Sequence, residues 1–262
     1  MTAAPDLLQR LVAEARAEVE ARRPAVSTAD LDRLASARPP ALDLRAALRG
    51  DRLTVIAEMK ARTPLMGQLS DDYSPARLAG VYAAAGAAAL SVLCQETSFG
   101  GRPEHLSEAR EAAATVPIMR KDFTVDERQV LEARAHGADA VLLIVAALND
   151  ARLRALLTLT RSLGMEALVE IHTEAEAEAA LEAGATVVGV NHRDLTTFQV
   201  DVGLTERLRP RVPADIVFVA ESGIHTAADA QRMRRAGADA ILVGEALMRA
   251  PDPAAKLREL SV

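Results

Sequence analysis

The sequence is poor in aromatic residues, in cysteine and in lysine. Its 262 residues include no Trp, two Tyr, four Phe and one Cys, and lysine stands only at positions 60, 121 and 256. The single cysteine, Cys94, excludes an internal disulfide framework and a zinc site built from several cysteines. A reducing cytoplasm is therefore the compartment we expect. Where lysine is this rare, each one is a candidate for a specific role.

The sequence also lacks features that would suit nucleic acid, a membrane or a metal. Its net charge is −6 and it has no basic stripe, so we expect no nucleic-acid partner. No basic segment leads into an apolar core at the N-terminus, so no signal peptide is predicted. The longest uncharged stretch, 78–95, is predicted to be a helix end, a turn and a strand rather than a membrane span. The five histidines have no metal-ligand spacing, so no metal is expected.

Apolar residues make up 50% of the chain, which excludes global disorder. Gly-Ala pairs follow amphipathic helical patterns at residues 86, 137, 184 and 237, and each Gly is predicted to be a left-handed helix C-cap. Eight short apolar runs are predicted to be strands, at 53–58, 89–93, 118–121, 140–144, 166–171, 187–191, 216–221 and 240–244. Because such runs alternate with helical patterns, they predict an α/β fold with a parallel sheet, namely a (β/α)8 TIM barrel. An open doubly wound sheet is the alternative, weakened because no Gly-x-Gly-x-x-Gly turn follows a strand.

The N-terminal part of the chain has a different pattern. Residues 1–48 are predicted to be a helical extension that packs on the barrel, within a single domain spanning 1–262. Residues 5–38 have the apolar stripe of a helix, with a second helical segment starting at Ser27. Two prolines at 39–40 end this region.

Polar residues stand at the ends of six of the eight predicted strands. They are Glu58 and Lys60, Lys121, Glu170, Asn191 and Arg193, Glu221 and Ser222, and Glu245. Catalytic residues of a barrel lie at the carboxyl ends of its strands, and residues two apart on a strand point to the same side. We therefore expect ammonium and guanidinium groups to face several carboxylates around one mouth. Such a mixed site can supply both an acid and a base.

Glycines at the ends of the seventh and eighth strands predict a phosphate site. Gly223 and Gly244 let the backbone approach a ligand, and barrels commonly bind phosphate here with backbone N–H groups. Ser222 can add a hydroxyl donor. The ligand we expect is a phosphate ester held on one side of the mouth.

Each of these signals also has a plainer interpretation. A Glu-x-Lys pair such as Glu58 and Lys60 is more often a surface ion pair. Residues 191–194 could form a helix N-cap with Asp194 as the cap, and residues 222–223 could be an ordinary turn. The coincidence of polar residues at six strand ends is what favours a functional site.

The motifs at these strand ends resemble those of the indole-3-glycerol-phosphate synthase family of tryptophan biosynthesis. The resemblance covers nearly the whole chain and rests on Ile56-Ala-Glu-Met-Lys60, Ser91-Val-Leu93, Arg120-Lys-Asp-Phe123, Leu168-Val-Glu-Ile-His172, Val190-Asn-His-Arg-Asp-Leu195, Ala220-Glu-Ser-Gly-Ile224 and Val243-Gly-Glu-Ala-Leu-Met248. It implies a lyase that needs no cofactor and converts 1-(2-carboxyphenylamino)-1-deoxyribulose 5-phosphate to indole-3-glycerol phosphate by ring closure, decarboxylation and dehydration. The implied partner is this phosphorylated small molecule, and we expect a monomer or a weak homo-oligomer.

The resemblance implies catalytic roles for five residues. Lys121 would be the general acid that protonates the ribulose carbonyl, with a pKa that we expect to be lowered by burial among cations. Glu170 would act in the dehydration. Glu58 and Asn191 would hold hydroxyl and amine groups of the substrate, and the division of acid and base work between Lys60 with Glu58 and Lys121 with Glu170 is open.

The resemblance implies binding roles for a further group of residues. Arg193, like Lys60, would meet the substrate's carboxylate or phosphate, and Glu221 would orient Lys121 or a substrate hydroxyl. The implied phosphate cradle consists of Ser222, Gly223, Gly244 and Glu245. The implied apolar pocket for the anthranilate ring consists of Phe99, Phe123, Leu142 and Leu195.

Three stretches depart from the family pattern. Where the family has Ser-Pro-Ser-x-Gly, Thr-Glu and Ser, this chain has Thr63-Pro-Leu-Met-Gly67, Cys94-Gln95 and Arg102. Because the catalytic positions are intact we expect activity, with substrate range, rate and a specialised pathway left open. Another phosphate-binding barrel enzyme, such as a sugar-phosphate isomerase or a Schiff-base aldolase, is the alternative. A barrel kept only as a scaffold is a third possibility, against which the intact Lys121 and Glu170 argue.

Overall fold

The computed structural model describes residues 7–64, 67–70, 72–194, 197 and 199–262. Within these residues, eight parallel strands close into a barrel. The strands are β1 (Thr54–Met59), β2 (Ala89–Leu93), β3 (Ile118–Lys121), β4 (Ala140–Ile144), β5 (Glu166–Ile171), β6 (Val187–Asn191), β7 (Val217–Glu221) and β8 (Ala240–Val243). Each strand pairs with its neighbours in the chain, and β1 also pairs with β8, which closes the sheet. The predicted (β/α)8 barrel is confirmed and the open sheet is wrong.

Helices surround the barrel and precede it. Before β1 come α1 (Leu7–Arg22), α2 (Thr28–Ser36) and α3 (Leu44–Leu48). The helices after β1 are α4 (Pro75–Ala84), α5 (Glu96–Phe99), α6 (Glu104–Ala112), α7 (Glu127–Ala135), α8 (Asp150–Ser162), α9 (Glu174–Glu182), α10 (Leu204–Leu208), α11 (Ala227–Arg235), α12 (Glu245–Met248) and α13 (Pro253–Leu260). A short antiparallel pair, Arg62–Thr63 with Gly67–Gln68, lies in the loop after β1. None of the helices in the described residues is long and apolar enough to cross a membrane.

Alternate residues of each strand face different layers, because side chains alternate along a strand. On β1, Val55 and Ala57 pack in the cluster between strands and helices, whereas Ile56 packs in the cluster inside the barrel. Glu58 shares the inward direction of Ile56, which brings its carboxylate to the mouth. The same alternation applies to β3, where Met119 and Lys121 face inward.

The N-terminal helices pack against the apolar cluster inside the barrel, α1 near the mouth and α3 near the amino ends of the strands. Leu11 of α1 belongs to the same buried cluster as Phe123 after β3, and Leu48 of α3 belongs to it as well. The carbonyl of Leu48 accepts a hydrogen bond from Thr54 Oγ1 at the start of β1. Helix α3 therefore lies beside the amino end of β1, and α1 lies near the mouth.

The predicted second helical segment at Ser27 is confirmed, and the prediction that the repeated glycines are the C-caps themselves is wrong. Helix α1 ends at Arg22 and α2 begins at Thr28. Pro24 explains the break, since proline has no N–H for the helix and disfavours helical backbone in the residue before it. Ser27 caps α2 by accepting a hydrogen bond from the Asp30 N–H at 3.1 Å. The four repeated glycines do adopt the left-handed conformation, but each stands one residue after the C-cap.

Candidate active site

A cavity of about 200 Å³ opens at the carboxyl ends of the barrel strands. It is lined by every predicted site residue that falls within the described part of the chain, namely Glu58, Lys60, Phe99, Lys121, Phe123, Leu142, Glu170, Asn191, Arg193, Glu221, Ser222, Gly223, Gly244 and Glu245. Leu195, the remaining predicted residue, lies outside the described residues. The rule that strand ends meet at one mouth gathered the polar residues of this lining from the sequence, whereas the apolar residues were named from the family resemblance.

Lys121, the last residue of β3, lies between two carboxylates. Its Nζ donates to Glu170 Oε2 at 2.9 Å and to Glu221 Oε2 at 3.0 Å. Both carboxylates are almost fully buried. Alternate strands of a barrel contribute side chains to the same inner layer, which is why β3, β5 and β7 supply one cluster.

The carboxylates around Lys121 stabilise its ammonium form. Burial by itself would lower the pKa of Lys121, but the negative charges of Glu170, Glu221 and Glu58 outweigh burial and raise that pKa above its usual value. The expectation of a lowered pKa among cations is therefore wrong. The sequence showed which charges share the mouth, but the strand order of the barrel decides which of them lie next to Lys121.

The two carboxylates beside Lys121 differ in how readily they ionise. Burial raises the pKa of Glu221 to about 7, with Lys121 opposing this shift and Glu170 adding to it. Burial also acts to raise the pKa of Glu170, but the positive charges of Lys121 and His172 lower it below its usual value. Two carboxyl groups whose pKa values are pushed apart can serve as a base and an acid at the same pH.

Glu58 and Lys60 form a second ion pair in the mouth. Lys60 Nζ donates to Glu58 Oε1 at 2.5 Å, and Glu58 is only 4% exposed. The interpretation of this pair as a surface ion pair is therefore wrong. Gly244 makes room for the pair, because a Cβ at this position would overlap Glu58 Oε1 and crowd Lys60 Nζ.

Gly189, in the middle of β6, is a site residue that the sequence analysis missed. A Cβ at this position would overlap Oε1 of Glu221. Glycine inside a strand often marks a close approach by another group. That signal was present in the run Val187–Asn191, but the partner that approaches Gly189 comes from a neighbouring strand.

Asn191 is fixed by its side-chain oxygen. Oδ1 accepts a hydrogen bond from the Arg193 N–H at 3.0 Å and from Ser222 Oγ at 2.8 Å. Asn191 also contributes to the lowered pKa of Glu170. Asn191 thus connects the Lys121 cluster to Ser222 in the turn after β7.

The turn after β7 has a constrained backbone. Ser222 has a φ of 68°, in the left-handed region that side chains other than Gly rarely adopt. His192 Nδ1 lies 2.8 Å from the carbonyl oxygen of Ser222, so this nitrogen must carry the proton and donate. Residues 222–223 are therefore both a turn and a wall of the cavity.

The backbone after β8 also faces the cavity. Gly244 precedes α12, and Glu245 and Ala246 at the start of that helix line the cavity. The Glu245 carboxylate forms an ion pair with Arg249 at 3.7 Å.

The interpretation of residues 191–194 as a helix N-cap is wrong, because Asp194 Oδ1 accepts from the Thr197 N–H in a turn.

An apolar wall covers the side of the cavity between α1 and β4. The rings of Phe99 and Phe123 have centroids 6.3 Å apart, and Leu142 packs in the same cluster. Leu7 and Leu11 of α1 line the cavity too. The apolar stripe of α1 is evident from the sequence, but its position at the site is not, since helix periodicity shows a buried face and not the neighbour of that face.

Comparison with known proteins decides the family. A family model described as indole-3-glycerol phosphate synthase matches residues 8–260. The chain belongs to the indole-3-glycerol phosphate synthase family. It is 57% identical over 254 residues to indole-3-glycerol phosphate synthase 2 of Streptomyces coelicolor, covering 97% of this chain and 98% of the relative. It is 46% identical over 257 residues to indole-3-glycerol phosphate synthase of Dehalococcoides mccartyi, covering 97% and 99%. The predicted family and its carboxy-lyase activity are confirmed.

Solved structures of lower sequence identity share the fold of this synthase. The 3-hexulose-6-phosphate synthase from Salmonella typhimurium has a TM-score of 0.64 at 14% identity, over 79% of this chain and 96% of that chain. Orotidine 5'-phosphate decarboxylase from Pyrococcus horikoshii has a TM-score of 0.60 at 17% identity, over 79% and 97%. At these identities the similarity shows the barrel fold alone.

The departure from the family pattern at Cys94-Gln95 has a structural explanation. Gln95 is fully buried, and its Nε2 donates to Glu14 Oε2 and to Glu18 Oε1 of α1, both at 3.0 Å. A glutamate at this position would face two carboxylates, whereas the amide satisfies both. Cys94 is also buried, as a small apolar residue whose Sγ donates weakly to the Val92 carbonyl.

Of the other two departures, one lies at the surface and the other lies partly at the cavity. Arg102 forms an exposed ion pair with Glu108 at 3.2 Å. Thr63 and Pro64 line the cavity, whereas residues 65–66 lie outside the described part of the chain. Among the residues that the structure describes, no group of three or more His, Cys, Asp or Glu side chains could hold a metal ion.

Proposed function

We propose a division of labour in this cavity for the reaction of the family. That reaction converts 1-(2-carboxyphenylamino)-1-deoxyribulose 5-phosphate to indole-3-glycerol phosphate by ring closure, loss of CO₂ and loss of water. The observation that carries the proposal is the position of Lys121 between Glu170 and Glu221 at the floor of the mouth. This cluster brings one proton donor within hydrogen-bond distance of two carboxyl groups of different pKa.

Lys121 acts as the general acid of ring closure. The ribulose carbonyl oxygen gains negative charge as the new carbon–carbon bond forms, and an ammonium beside it can donate a proton to that oxygen. Since Glu170, Glu221 and Glu58 raise the pKa of Lys121, the residue begins the reaction fully protonated. The same charges argue against a Schiff-base aldolase, which needs a neutral amine at this position.

Glu170 acts in the dehydration. Its low pKa keeps it ionised, so it can accept the proton that the substrate loses as the indole ring becomes aromatic. Asn191 and Glu221 fix the groups around the Glu170 carboxylate, and Glu221 orients Lys121. Glu58 and Asn191 contact hydroxyl and amine groups of the substrate, and Lys60 pairs with the carboxylate that leaves as CO₂.

The phosphate binds on the opposite side of the mouth from the apolar wall. Ser222 and Gly223 after β7, and the N–H groups of Gly244 and Glu245 after β8, form the cradle, with Arg193 as the nearby cation. Phe99, Phe123 and Leu142 contact the anthranilate ring. A substrate held at both ends would have its reacting carbons above Lys121.

We also propose a domain organisation, a compartment and an oligomeric state for the chain. Residues 1–48 form an extension of a single domain spanning 1–262, which completes the site through Leu7 and Leu11 of α1. The protein acts in the cytoplasm, as a monomer or a weak homo-oligomer.

The test is product formation from the substrate by purified protein. We expect the indole fluorescence of the product to appear with the unmodified chain and to vanish with Lys121→Ala, while binding of a phosphorylated substrate analogue to that variant is kept. Lys256→Ala is the matched control, because Lys256 is the lysine far from the mouth, paired with Glu259 on α13. Unchanged turnover of Lys121→Ala would refute the acid role.

A further inference from the structure

Gln95, the N-cap residue of α5, is fully buried and links α5 to α1 through both ends of its side chain. Its Oε1 accepts from the N–H groups of Ser98 and Phe99 at 2.8 and 3.2 Å. Its Nε2 donates to Glu14 Oε2 and to Glu18 Oε1 of α1, both at 3.0 Å. A side-chain amide offers two N–H donors and an oxygen with two lone pairs, so Gln95 uses its whole hydrogen-bonding capacity here.

Further hydrogen bonds join the two helices beside this amide. Glu18 Oε1 also accepts from the N–H and the hydroxyl of Thr97, at 2.8 and 2.7 Å, and Glu18 Oε2 accepts from the Glu96 N–H at 3.1 Å. Ser98 Oγ donates to Glu14 Oε2 at 2.7 Å. The side chains of Glu14 and Glu18 are 19% and 10% exposed, so solvent screens these bonds little. Each carboxylate of α1 is thus held by donors from the start of α5.

One face of α1 carries both this contact and part of the apolar wall of the cavity. The residues of the face recur at intervals of three or four positions, as neighbours on one side of a helix do, and are Leu7, Leu11, Glu14 and Glu18. Leu7 and Leu11 line the cavity, and Glu14 lies about one turn beyond Leu11. A shift of α1 relative to α5 would therefore move Leu7 and Leu11 in the wall.

Phe99, the last residue of α5, supplies another part of the wall. Its ring lines the cavity, with a centroid 6.3 Å from that of Phe123. Helix α5 has only four residues, and so short a helix is not stable without tertiary contacts. The position of Phe99 therefore depends on the residues that hold α5, and Gln95 binds the Phe99 N–H directly.

We propose that Gln95 is a positioning residue that sets the affinity of the cavity for the anthranilate ring of the substrate. This inference rests on the proposed function, which assigns the apolar wall to that ring. Gln95 does not belong to the described residues that line the cavity, so it acts through Phe99 and Leu11. Because the ring contacts the wall before and during the reaction, a displaced wall weakens ground-state and transition-state binding alike. KM then rises and kcat changes little.

The amide group of Gln95 is what this contact requires. A glutamate would have the same size, but its carboxylate has no N–H to donate to Glu14 or Glu18. Three carboxylates would then lie at hydrogen-bond distance in partly buried surroundings, where like charges repel strongly. Such repulsion would push α1 and α5 apart.

The test compares KM with kcat in Gln95→Glu. KM for the substrate should rise at least about 10-fold, and kcat should change less than about 3-fold, because the Lys121 cluster is unaltered. Inorganic phosphate, which competes for the cradle at the other end of the substrate, should inhibit the variant as it inhibits the unmodified protein, within about 2-fold. A purely structural role would lower the fraction of folded protein, and with it the apparent kcat, without a change in KM.

Two further variants make the result specific. Gln95→Glu combined with Glu14→Gln exchanges the amide and the carboxylate across the contact, so KM should fall back at least about 3-fold from that of Gln95→Glu alone. Glu14→Ala should raise KM about 3-fold, and it tests the same contact if Gln95→Glu does not fold, since alanine favours a helix. Gln231→Glu is the matched control, because it adds the same charge at an exposed position of α11. It should behave as the unmodified protein.

Two results would overturn this inference and leave the proposed function intact. One is an unchanged KM in a folded, active Gln95→Glu protein. The other is a rise in KM that is matched by an equal loss of phosphate inhibition and is not reversed by Glu14→Gln, because such a change disturbs the whole mouth. Failure of the proposed function has a different signature, namely no product from the unmodified chain or full turnover of Lys121→Ala.

Discussion

Arg120 and Lys121 are neighbours on β3, and both are buried cations beside carboxylates, but they face opposite layers of the barrel. Arg120 is fully buried between the strands and α7. Its Nε and Nη2 donate to Asp122 Oδ2 at 3.0 and 2.8 Å, and its Nη1 donates to the Gln129 carbonyl at 3.0 Å and to Glu132 at 3.3 Å. Lys121 faces the mouth, where its partners are Glu170 and Glu221 and one side borders the cavity.

The difference shows how side-chain chemistry separates structure from catalysis on one strand. A guanidinium is planar, stays charged at any physiological pH and offers five donors in fixed directions, which suits a closed structural network. An ammonium is smaller and can lose its proton, which suits an open site. We expect changes at Arg120 to affect mainly stability and changes at Lys121 to affect mainly turnover.

Lys121→Arg tests the catalytic role of Lys121, and it should give the largest effect. The charge beside Glu170 and Glu221 is kept, but a guanidinium does not give up its proton, so kcat should fall by about 10²- to 10⁴-fold. Product fluorescence measures the rate, and urea unfolding checks that the variant is folded. A variant that retains most of its turnover would show that charge, and not proton donation, is what Lys121 supplies.

Arg120→Ala tests the structural role of Arg120. Removal of Arg120 leaves Asp122 buried without its cation, whereas Glu132 keeps Arg22 and Arg128, and the free energy of unfolding should fall by about 3–5 kcal/mol. Urea unfolding measures this loss. Arg33→Ala is the matched control, because Arg33 forms an exposed ion pair with Asp30, and its loss should cost less than about 1 kcal/mol. Equal losses in the two variants would mean that the Arg120 network adds nothing beyond a surface pair.

Gly189→Ala tests the geometry of the Lys121 cluster, because it disturbs the cluster without changing any of its charges. The new methyl group displaces Glu221, which orients Lys121, so kcat should fall by about 10-fold or more while the chain stays folded. Gly80→Ala on α4 is the control: a Cβ at Gly80 would meet nothing within 4 Å, and Ala should stabilise the helix by about 0.5–1 kcal/mol. If Gly189→Ala turns over normally, the position of Glu221 is not critical.

The pH dependence of stability should give the smallest effect, with opposite signs in the two clusters. The pKa of Glu221 is raised from 4.5 to about 7, so its contribution to folding is complete below pH 4.5 and is lost as the pH rises through 7. Burial acts to raise the pKa of Glu132, but Arg120 and Arg22 lower it, so its contribution is present above pH 4.5 and is lost at more acidic pH.

Urea unfolding of Glu221→Gln at several pH values between 5 and 8 checks the first of these signs. The free energy of unfolding should fall less steeply with pH in the variant than in the unmodified protein. Identical slopes would mean that Glu221 is already ionised throughout this range. Glu132→Gln is the comparison variant, and it should leave the slope above pH 5 unchanged.

Much of the site could be predicted because barrel geometry is repetitive. The ends of β1, β3, β5, β6 and β7 bring Glu58, Lys121, Glu170, Asn191 and Glu221 to one mouth in any barrel with this strand order. Residues that act through a neighbour from another strand or helix could not be predicted in this way. Gly189 acquires its role only from Glu221, and Gln95 acquires its role only from Glu14 and Glu18 of α1.

The sequence by itself determined the strands, the barrel, the family and the membership of the site, because these depend on local periodicity, on strand ends and on motifs of adjacent residues. Only the tertiary structure decided which charges touch. The pKa of Lys121 was expected to be lowered and is instead raised by the carboxylates on either side of it, since β3, β5 and β7 contribute to the same inner layer. The sign of its pKa shift depends on distances of about 3 Å between atoms that are far apart in the chain, and no local pattern contains those distances.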